Sequence, residues 1–311
     1  MACYKPLTAY YGKEKNVSGK NSIVFNPREA AQPDDPIELP CGQCVGCRLE
    51  RSRQWAIRCI HEAQLHDDNC FITLTFSPEA LAKRENPWSL RKKDFQDFMK
   101  RLRKHFGAKK IRYFHCGEYG EKYGRPHYHA ILFGIDFDDK KLHRVLNGHR
   151  LYTSPTLERL WPHGYSSIGN VTFESAAYVA RYIMKKVTGD DADTHYAIVD
   201  PDTGEIVGSK VPEYTTMSRR PGIAAGWLEK FADDVYPKDF ITVRGKKMRA
   251  PKYYDRVMET ERPYEMEDIK HARKEAAKLH SENNTAERLR VREKVQKLRL
   301  EKLPRNLDKE N

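Results

Sequence analysis

The sequence predicts an α+β fold in which helices flank a central antiparallel sheet. Three short segments alternate side chains with a period of two and are rich in β-branched and aromatic residues, as strands are. They are residues 70–76, 111–116 and 127–133. Other segments repeat apolar side chains with the period of an α-helix. A short loop joins the last two strand segments, which favours antiparallel pairing.

The composition points to a polyanionic partner. The 311 residues carry a net charge of +12, and the sequence pI is about 9.2. Only 39% of residues are hydrophobic, which predicts a modest core and much polar surface. Because the chain has no long apolar run and no apolar signal core, we expect no membrane span and no secretion. The seven cysteines should then be reduced thiols.

Residues 1–47 are expected to form an irregular arm, because prolines recur through residues 27–40. The arm ends in a run of three cysteines, Cys41, Cys44 and Cys47. With Cys3 as a fourth ligand they would complete a tetrahedral structural zinc site. Three thiolates so close could also hold an iron–sulfur cluster, or be unliganded cysteines in a glycine-rich turn.

A basic helix is predicted over residues 48–66, followed by the strand 70–76. Ser89 then caps an amphipathic helix that runs to Phe106. Its solvent side carries basic residues that could contact phosphate, although such a face often serves only solubility. The candidates are Lys92, Lys93, Lys100 and Arg103.

Two histidines stand at the head of the strand that ends at Phe133. Since side chains alternate along a strand, His127 and His129 point to the same face. A short loop before this strand brings Glu118 near them. Two imidazoles and a carboxylate can bind a divalent metal and leave positions open for a substrate. The simpler reading is a pair of hydrogen-bonded structural histidines.

Residues 135–165 are expected to form a helical insertion, and a further strand starts at Tyr165. Thr172 or Ser175 then caps a helix that runs from residue 176 to 187. Helical spacing brings three polar side chains of this helix together, opposite an apolar stripe. They are Tyr178, Tyr182 and Lys185.

A surface hairpin is predicted within an insertion at residues 190–217. Arg219 and Arg220 follow on a Pro-Gly turn and are further candidates for phosphate binding. From residue 256 to the end, the sequence predicts long charged helices with few apolar positions. Residues 48–255 would thus form the main domain, between the N-terminal arm and a helical tail.

These motifs, in this order, resemble those of HUH-type endonucleases. The resemblance rests on Gly117-Glu118, on Arg125-Pro-His-Tyr-His129 and on the segment from Tyr178 to Lys185. The cysteine run and the Ser218-to-Ile223 segment are similar to those of gokushovirus replication initiation proteins. The resemblance covers roughly residues 1–255 and implies the RRM-like HUH fold.

The resemblance implies a rolling-circle initiator that nicks and rejoins one strand at the viral origin. Tyr178 and Tyr182 would form covalent 5′-phosphotyrosine links, assisted by Lys185. Glu118, His127 and His129 would hold Mg²⁺ or Mn²⁺. The protein would act in the host bacterial cytoplasm. It would need a separate host helicase, because the sequence contains no P-loop motif.

Other functions remain open at this stage. The same superfamily includes plasmid relaxases and transposases. A non-catalytic single-strand DNA-binding protein would need only basic helices and aromatic side chains. A hydrolytic metal nuclease would use an activated water instead of a tyrosine. Replacing both tyrosines by phenylalanine distinguishes these classes.

Overall fold

The computed structural model describes residues 3–16, 19–120, 123–146, 148–181, 186–187, 189–200 and 202–302. The chain forms two compact units, one drawn from residues 1–51 and 271–304 and one from residues 52–270. No helix in the described ranges is long and apolar enough to cross a membrane. The ten helices of those ranges are α1 Val45–Ala63, α2 Pro78–Ala82, α3 Lys92–Phe106, α4 Pro155–Leu160, α5 Phe173–Arg181, α6 Asp191–Tyr196, α7 Ala225–Val235, α8 Lys252–Glu261, α9 Pro263–Lys278 and α10 Ala286–Lys302.

A seven-stranded antiparallel sheet organises the larger unit, with the strand order β12-β5-β6-β4-β9-β8-β7. The α+β prediction is confirmed. The strands of the described ranges are β1 Leu7–Lys15, β2 Asn21–Val24, β3 Ile37–Leu39, β4 Asn69–Phe76, β5 Arg112–Tyr119, β6 Pro126–Phe133, β7 Lys141–Leu146, β8 His149–Thr153, β9 Gly164–Gly169, β10 Ala197–Val199, β11 Ile206–Ser209, β12 Tyr214–Met217, β13 Ile241–Val243 and β14 Lys246–Met248.

The two faces of the sheet are both covered, so its central strands are apolar on both sides. Every residue of β6 is buried. Side chains of α1, α5, α7 and α8 pack on the face that carries Phe71, Phe114 and Ile131. Side chains of α2, α3 and α4 pack on the face that carries Ile72 and Leu74. The alternation along β4 and β6 therefore decides which helices each side chain meets.

The irregular arm predicted for residues 1–40 is wrong. β1, β2 and β3 form a three-stranded antiparallel sheet in the order β2-β1-β3. The prolines do not interrupt β1, because they begin at Pro6 just before it and resume at Pro27 after β2. The cysteine run follows β3 and leads into α1.

The helical insertion predicted for residues 135–165 is also wrong. β7 and β8 pair as an antiparallel hairpin, and only the short helix α4 follows. The Asn-Gly sequence at 147–148 is a strong hairpin signal, and Gly148 has a φ of 81°. Leu142, Val145 and Leu151 supply the strand-forming side chains around this turn.

The remaining elements agree with the pattern more closely. The hairpin expected in residues 190–217 is present as β10 and β11, and α8, α9 and α10 follow toward the C-terminus. Thr172 caps α5, since its Oγ1 accepts the N–H of Ser175 and Ser175 Oγ accepts the N–H of Thr172. Ser89 does not cap α3, which begins three residues later after Arg91. Instead its Oγ accepts the N–H of Val211.

Candidate active site

Adjacent strands bring the predicted metal ligands into neighbouring rows of one sheet face. In the pairing of β5 with β6, Glu118 lies directly opposite His127. His129 lies two residues further along and pairs with Thr73 of β4 on its other side. All three predicted ligands are buried, with relative exposures of 3–6%. Rigid central strands thus hold these polar groups against the core.

His129 lies at the centre of a hydrogen-bond network. Its Nε2 is 2.7 Å from Glu118 Oε1, and its Nδ1 is 3.0 Å from Thr73 Oγ1. An ionised carboxylate only accepts hydrogen bonds, so His129 donates from Nε2 and accepts the hydroxyl proton of Thr73 at Nδ1. Buried polar groups need such partners, because an unpaired one is costly. Glu118 and Thr73 therefore fix the orientation of the imidazole.

The orientation of His127 is fixed by the backbone. Its Nδ1 is 2.6 Å from the carbonyl oxygen of Arg125, which can only accept. The proton of a neutral His127 is therefore on Nδ1, and Nε2 keeps the lone pair that a metal would use. Gly120 makes room for this ring: a Cβ there would lie 3.0 Å from His127 Cε1.

The first tyrosine of the predicted pair meets the histidines directly. α5 packs against β5 and β6, and the ring of Tyr178 lies edge-on to His129 with centroids 5.3 Å apart. Phe71 contacts both rings from β4. Tyr178 is 7% exposed, so it faces the sheet rather than standing opposite the buried stripe of the helix. Tyr182 and Lys185 lie outside the described residues.

The donor set fits a divalent ion in its chemistry. Nε2 of His129 and Oε1 of Glu118 are 2.7 Å apart, close to the roughly 3.0 Å between neighbouring octahedral ligands at about 2.1 Å. The rings of His127 and His129 are nearly parallel, with centroids 6.3 Å apart. Both can bind one ion only if their nitrogen atoms point into the gap, because two ligands of one ion are at most about 4.2 Å apart.

The predicted phosphate contacts do not gather around this site. α3 packs on the opposite face of the sheet, so its basic residues lie away from the histidines. Of these, Lys93 and Lys100 pair with Asp97 on the same helix. The turn of Arg219 and Arg220 follows β12 at the end of β5 remote from Glu118. Lys92 and Arg103 are also on α3, and the role of all six in DNA binding stays a prediction.

The turn after β12 is held by a buried ion pair that the sequence did not reveal. Arg112 Nε is 2.5 Å from Glu62 Oε1, and Arg112 Nη2 donates to the carbonyl oxygens of Pro221 and Gly222. Glu62 also accepts the N–H of Ala224. Although burial opposes ionisation, these donors lower the pKa of Glu62. The Pro-Gly turn therefore has a structural role in addition to any contact with DNA.

The four cysteines of the predicted zinc site come together at the start of α1. The sulfur atoms of Cys3, Cys41, Cys44 and Cys47 all lie within 4.8 Å of one another. None of the seven cysteines, all of which lie in the described ranges, forms a disulfide. Burial opposes ionisation of Cys44, but the N–H of Tyr4 and neighbouring donors lower its pKa to about 7.

Comparison with known proteins identifies the family. Replication-associated protein VP4 of Bdellovibrio phage phiMH2K is 33% identical over 264 residues, which cover 82% of this chain and 76% of that protein. Replication-associated protein ORF2 of Spiroplasma virus 4 is 33% identical over 301 residues, covering 89% and 87%. The chain belongs to this family of microvirus replication-associated proteins. ORF4 of Chlamydia phage 1, also called replication-associated, is 37% identical over 166 residues, covering 50% and 40%.

A family model described as replication-associated protein ORF2 matches residues 69–187. That range begins with β4 and contains β5, β6 and α5, so it includes Glu118, both histidines and Tyr178. No solved structure matches the chain. The family assignment therefore rests on sequence, and it coincides with the elements that build the buried histidine site.

Proposed function

We propose that the chain initiates rolling-circle replication by nicking and rejoining one strand of the viral origin through a covalent 5′-phosphotyrosine. This makes it an HUH-type enzyme of the two-tyrosine class. The observation that supports the proposal best is the contact between the Tyr178 ring and His129, which Glu118 and Thr73 orient. A candidate nucleophile and a candidate metal site thus meet in one buried place.

The proposed reaction is a phosphoryl transfer. The phenolic oxygen of Tyr178 attacks the scissile phosphorus and loses its proton. The bond between phosphorus and the 3′ oxygen breaks, and that oxygen takes up a proton to become a 3′-hydroxyl. No phosphate bond is hydrolysed, so the reverse reaction can rejoin the strand.

The phosphodiester carries a negative charge that repels a nucleophile. Bound by Glu118, His127 and His129, Mg²⁺ or Mn²⁺ would offset this charge and polarise the phosphate. The chain's own contribution is orientation: Arg125 fixes the tautomer of His127 through its carbonyl oxygen, and the α5–sheet packing holds Tyr178 beside His129. Orientation of this kind can lower a barrier by several kcal/mol.

Tyr182 would act as the second nucleophile, one helical turn after Tyr178. While one tyrosine holds the 5′ end, the other would cut the regenerated origin. Lys185 would stabilise a phenolate or the phosphate charge. The partners of this activity would be single-stranded or supercoiled origin DNA and a host helicase. We place it in the cytoplasm of the bacterial host, without a membrane partner.

The test mixes the full-length chain with single-stranded viral DNA and Mn²⁺, and looks for a protein–DNA adduct that survives denaturation. We expect an adduct with the wild type and a large loss with Tyr178→Phe. The double variant Tyr178→Phe/Tyr182→Phe should give none. His127→Ala should bind DNA but form little adduct. Tyr264→Phe is a matched control, because Tyr264 is 85% exposed on α9.

The outcomes separate the alternatives. DNA cleavage by the double phenylalanine variant would show a hydrolytic metal nuclease and refute the tyrosine chemistry. DNA binding without an adduct or cleavage by the wild type would indicate a non-catalytic binding protein. An adduct that leaves a free 5′-hydroxyl on the other strand end would also contradict the proposal, since attack by tyrosine here leaves the 5′ phosphate on the protein.

A further inference from the structure

We infer that Cys3, Cys41, Cys44 and Cys47 form a tetrahedral zinc site that fastens the N-terminal sheet to the start of α1. The first support is distance. Sγ of Cys3 lies 3.6 Å from Sγ of Cys41 and 3.9 Å from Sγ of Cys44. Four sulfurs each about 2.3 Å from one zinc ion would be about 3.8 Å apart.

The separations disfavour the other readings of the cysteine run. A disulfide needs sulfur atoms about 2.05 Å apart. In a four-iron cluster each thiolate binds a different iron, which spreads the sulfurs more widely than one shared ion does. The mutual limit of 4.8 Å suits a single ion.

Backbone donors are already arranged for negatively charged sulfur. Cys3 Sγ accepts the N–H of Cys41, Cys41 Sγ accepts that of Cys44, and Cys44 Sγ accepts that of Tyr4, each at 3.3 Å. Cys44 and Cys47 lie at the N-terminal end of α1, where the helix dipole also favours negative charge. These N–H groups would orient and stabilise thiolate ligands.

The smaller unit needs such a fastening, because it has little hydrophobic core. Among its described residues the buried apolar side chains are few and small. They are Cys3, Ala9, Ala30, Cys44 and Leu289. The larger side chains of its sheet, such as Tyr11 and Phe25, are exposed by 46% and 62%. Units with so small a core usually depend on a metal or a disulfide. The ion would close the chain between residues 3 and 41, which encloses β1, β2 and β3.

The test measures metals in the full-length chain after gel filtration by mass spectrometry. We expect about one zinc per chain in the wild type and much less in Cys44→Ser. Cys59→Ala is the matched control, since Cys59 is buried in the larger unit outside the cluster, and it should keep its zinc. His127→Ala should also keep zinc, which separates this site from the catalytic one.

A second measurement covers the case in which Cys44→Ser does not fold. Wild type produced with Co²⁺ should show the thiolate-to-metal charge-transfer band and the intense visible bands of a tetrahedral cobalt site. Zinc loss should also expose residues 4–40 to protease before the rest of the chain. Wild type that carries iron instead of zinc, or no metal with four free or oxidised thiols, would overturn the assignment.

A second, independent inference concerns β9 and rests on the proposed function. We propose that Tyr165 and Arg125 bind the DNA strand beside the histidines, the ring by stacking on a base and the guanidinium by pairing with a phosphate. Tyr165 pairs with Thr75, and Thr75 pairs with His127, so the three lie in one row across neighbouring strands. Tyr165 is nevertheless 63% exposed, unlike His127 in the same row.

Arg125 supplies a cation at the same end of the row. Its Nη1 donates to the carbonyl oxygen of Phe76, which pairs with Gly164 next to Tyr165. Arg125 Nε is buried and has no hydrogen-bond partner among the described residues. A buried donor of a guanidinium is costly to leave unpaired, and a phosphate oxygen accepts from two such donors at once. A single DNA strand offers both a base face and a phosphate within this short distance.

The test measures binding of fluorescein-labelled oligothymidylate in EDTA, where cleavage does not occur. Tyr165→Ala should weaken binding about 5- to 150-fold, while Tyr165→Phe should bind like the wild type. Arg125→Gln should reduce the dependence of binding on salt by about one phosphate contact. Tyr264→Ala, a substitution of an exposed tyrosine elsewhere, should change neither quantity.

The outcomes are separable from those of the nicking test. Wild-type affinity in Tyr165→Ala would refute stacking, whether or not Tyr178 forms an adduct. Loss of the adduct in Tyr165→Phe would also overturn the inference, because it would show that the hydroxyl of Tyr165 reacts. An unchanged salt dependence in Arg125→Gln would remove the phosphate contact.

Discussion

Thr73→Val should slow tyrosyl–DNA adduct formation although Thr73 is neither a nucleophile nor a metal ligand. Its hydroxyl lies 3.0 Å from His129 Nδ1 and donates to it while Nε2 faces Glu118. When Nε2 binds a metal, the imidazole proton must be on Nδ1, and the Thr73 oxygen then accepts it. A hydroxyl can serve both states, and a valine methyl can serve neither.

The size of the effect follows from burial. Thr73 and His129 are 9% and 3% exposed, so water cannot readily replace the lost partner. A buried polar atom left unpaired costs about 1–3 kcal/mol. Partners that orient a metal-binding histidine are commonly worth about 10- to 100-fold in metal affinity or activity. We therefore expect adduct formation at low Mn²⁺ to fall by roughly that factor, with partial recovery at high Mn²⁺.

The assay follows single-turnover adduct formation over a range of Mn²⁺ concentrations. Thr73→Ser should restore most of the rate, because it keeps the hydroxyl. Thr242→Val, at an exposed position of the separate hairpin β13–β14, is the control for the same change of side chain. If Thr73→Val matched the wild type in rate and in Mn²⁺ dependence, the proposed orientation of His129 by Thr73 would be wrong.

Three further substitutions test the surrounding structure. Glu62→Gln should lower the free energy of unfolding by about 3–5 kcal/mol in urea titrations, because it leaves the guanidinium of Arg112 buried without its charged partner; an unchanged midpoint would contradict this. Burial lowers the pKa of His61 to about 4. The unfolded state therefore takes up a proton near pH 6.5 that the folded state refuses, and stability should fall by up to about 3 kcal/mol between pH 6.5 and 4. His61→Phe should lose that part of the pH dependence, and an equally steep slope in the variant would refute it. Gly120→Ala should displace the ring of His127 by a few tenths of an ångström and reduce adduct formation roughly tenfold without unfolding the chain, as circular dichroism would verify; a wild-type rate would show that the ring can yield.

The sequence predicted which residues share a face better than it predicted how segments fold between them. The alternation in β4 and β6 correctly grouped His127 with His129. In contrast, residues 1–40 and 135–165 were misread, because prolines and acidic residues were taken as signals against strands. Both segments form strands whose side chains are largely exposed. Such strands lack the continuous apolar run that makes a buried strand easy to recognise.

The buried partners of the site could not be read from sequence. Glu62 and Arg112 are 50 residues apart and looked like ordinary surface charges on a basic helix and a strand. Only the packing of α1 against β5 and the turn after β12 brings them together below the surface. The exposure of Tyr165 was equally hidden, because the pattern places it in a strand but does not say whether a helix covers that end of the sheet.

The link between Tyr178 and His129 shows why face membership alone is not enough. Period and spacing place Tyr178 on a helix and His129 on a strand, but their contact depends on α5 docking over β5 and β6. That docking is supported from outside the motif, since Ser52 of α1 donates a hydrogen bond to the carbonyl oxygen of Ala177. A helix covered on both sides explains why Tyr178 is buried although the pattern placed it opposite the apolar stripe. The position of the candidate nucleophile is therefore set jointly by the sheet and by α1, and substitutions in α1 should affect it as much as those in α5.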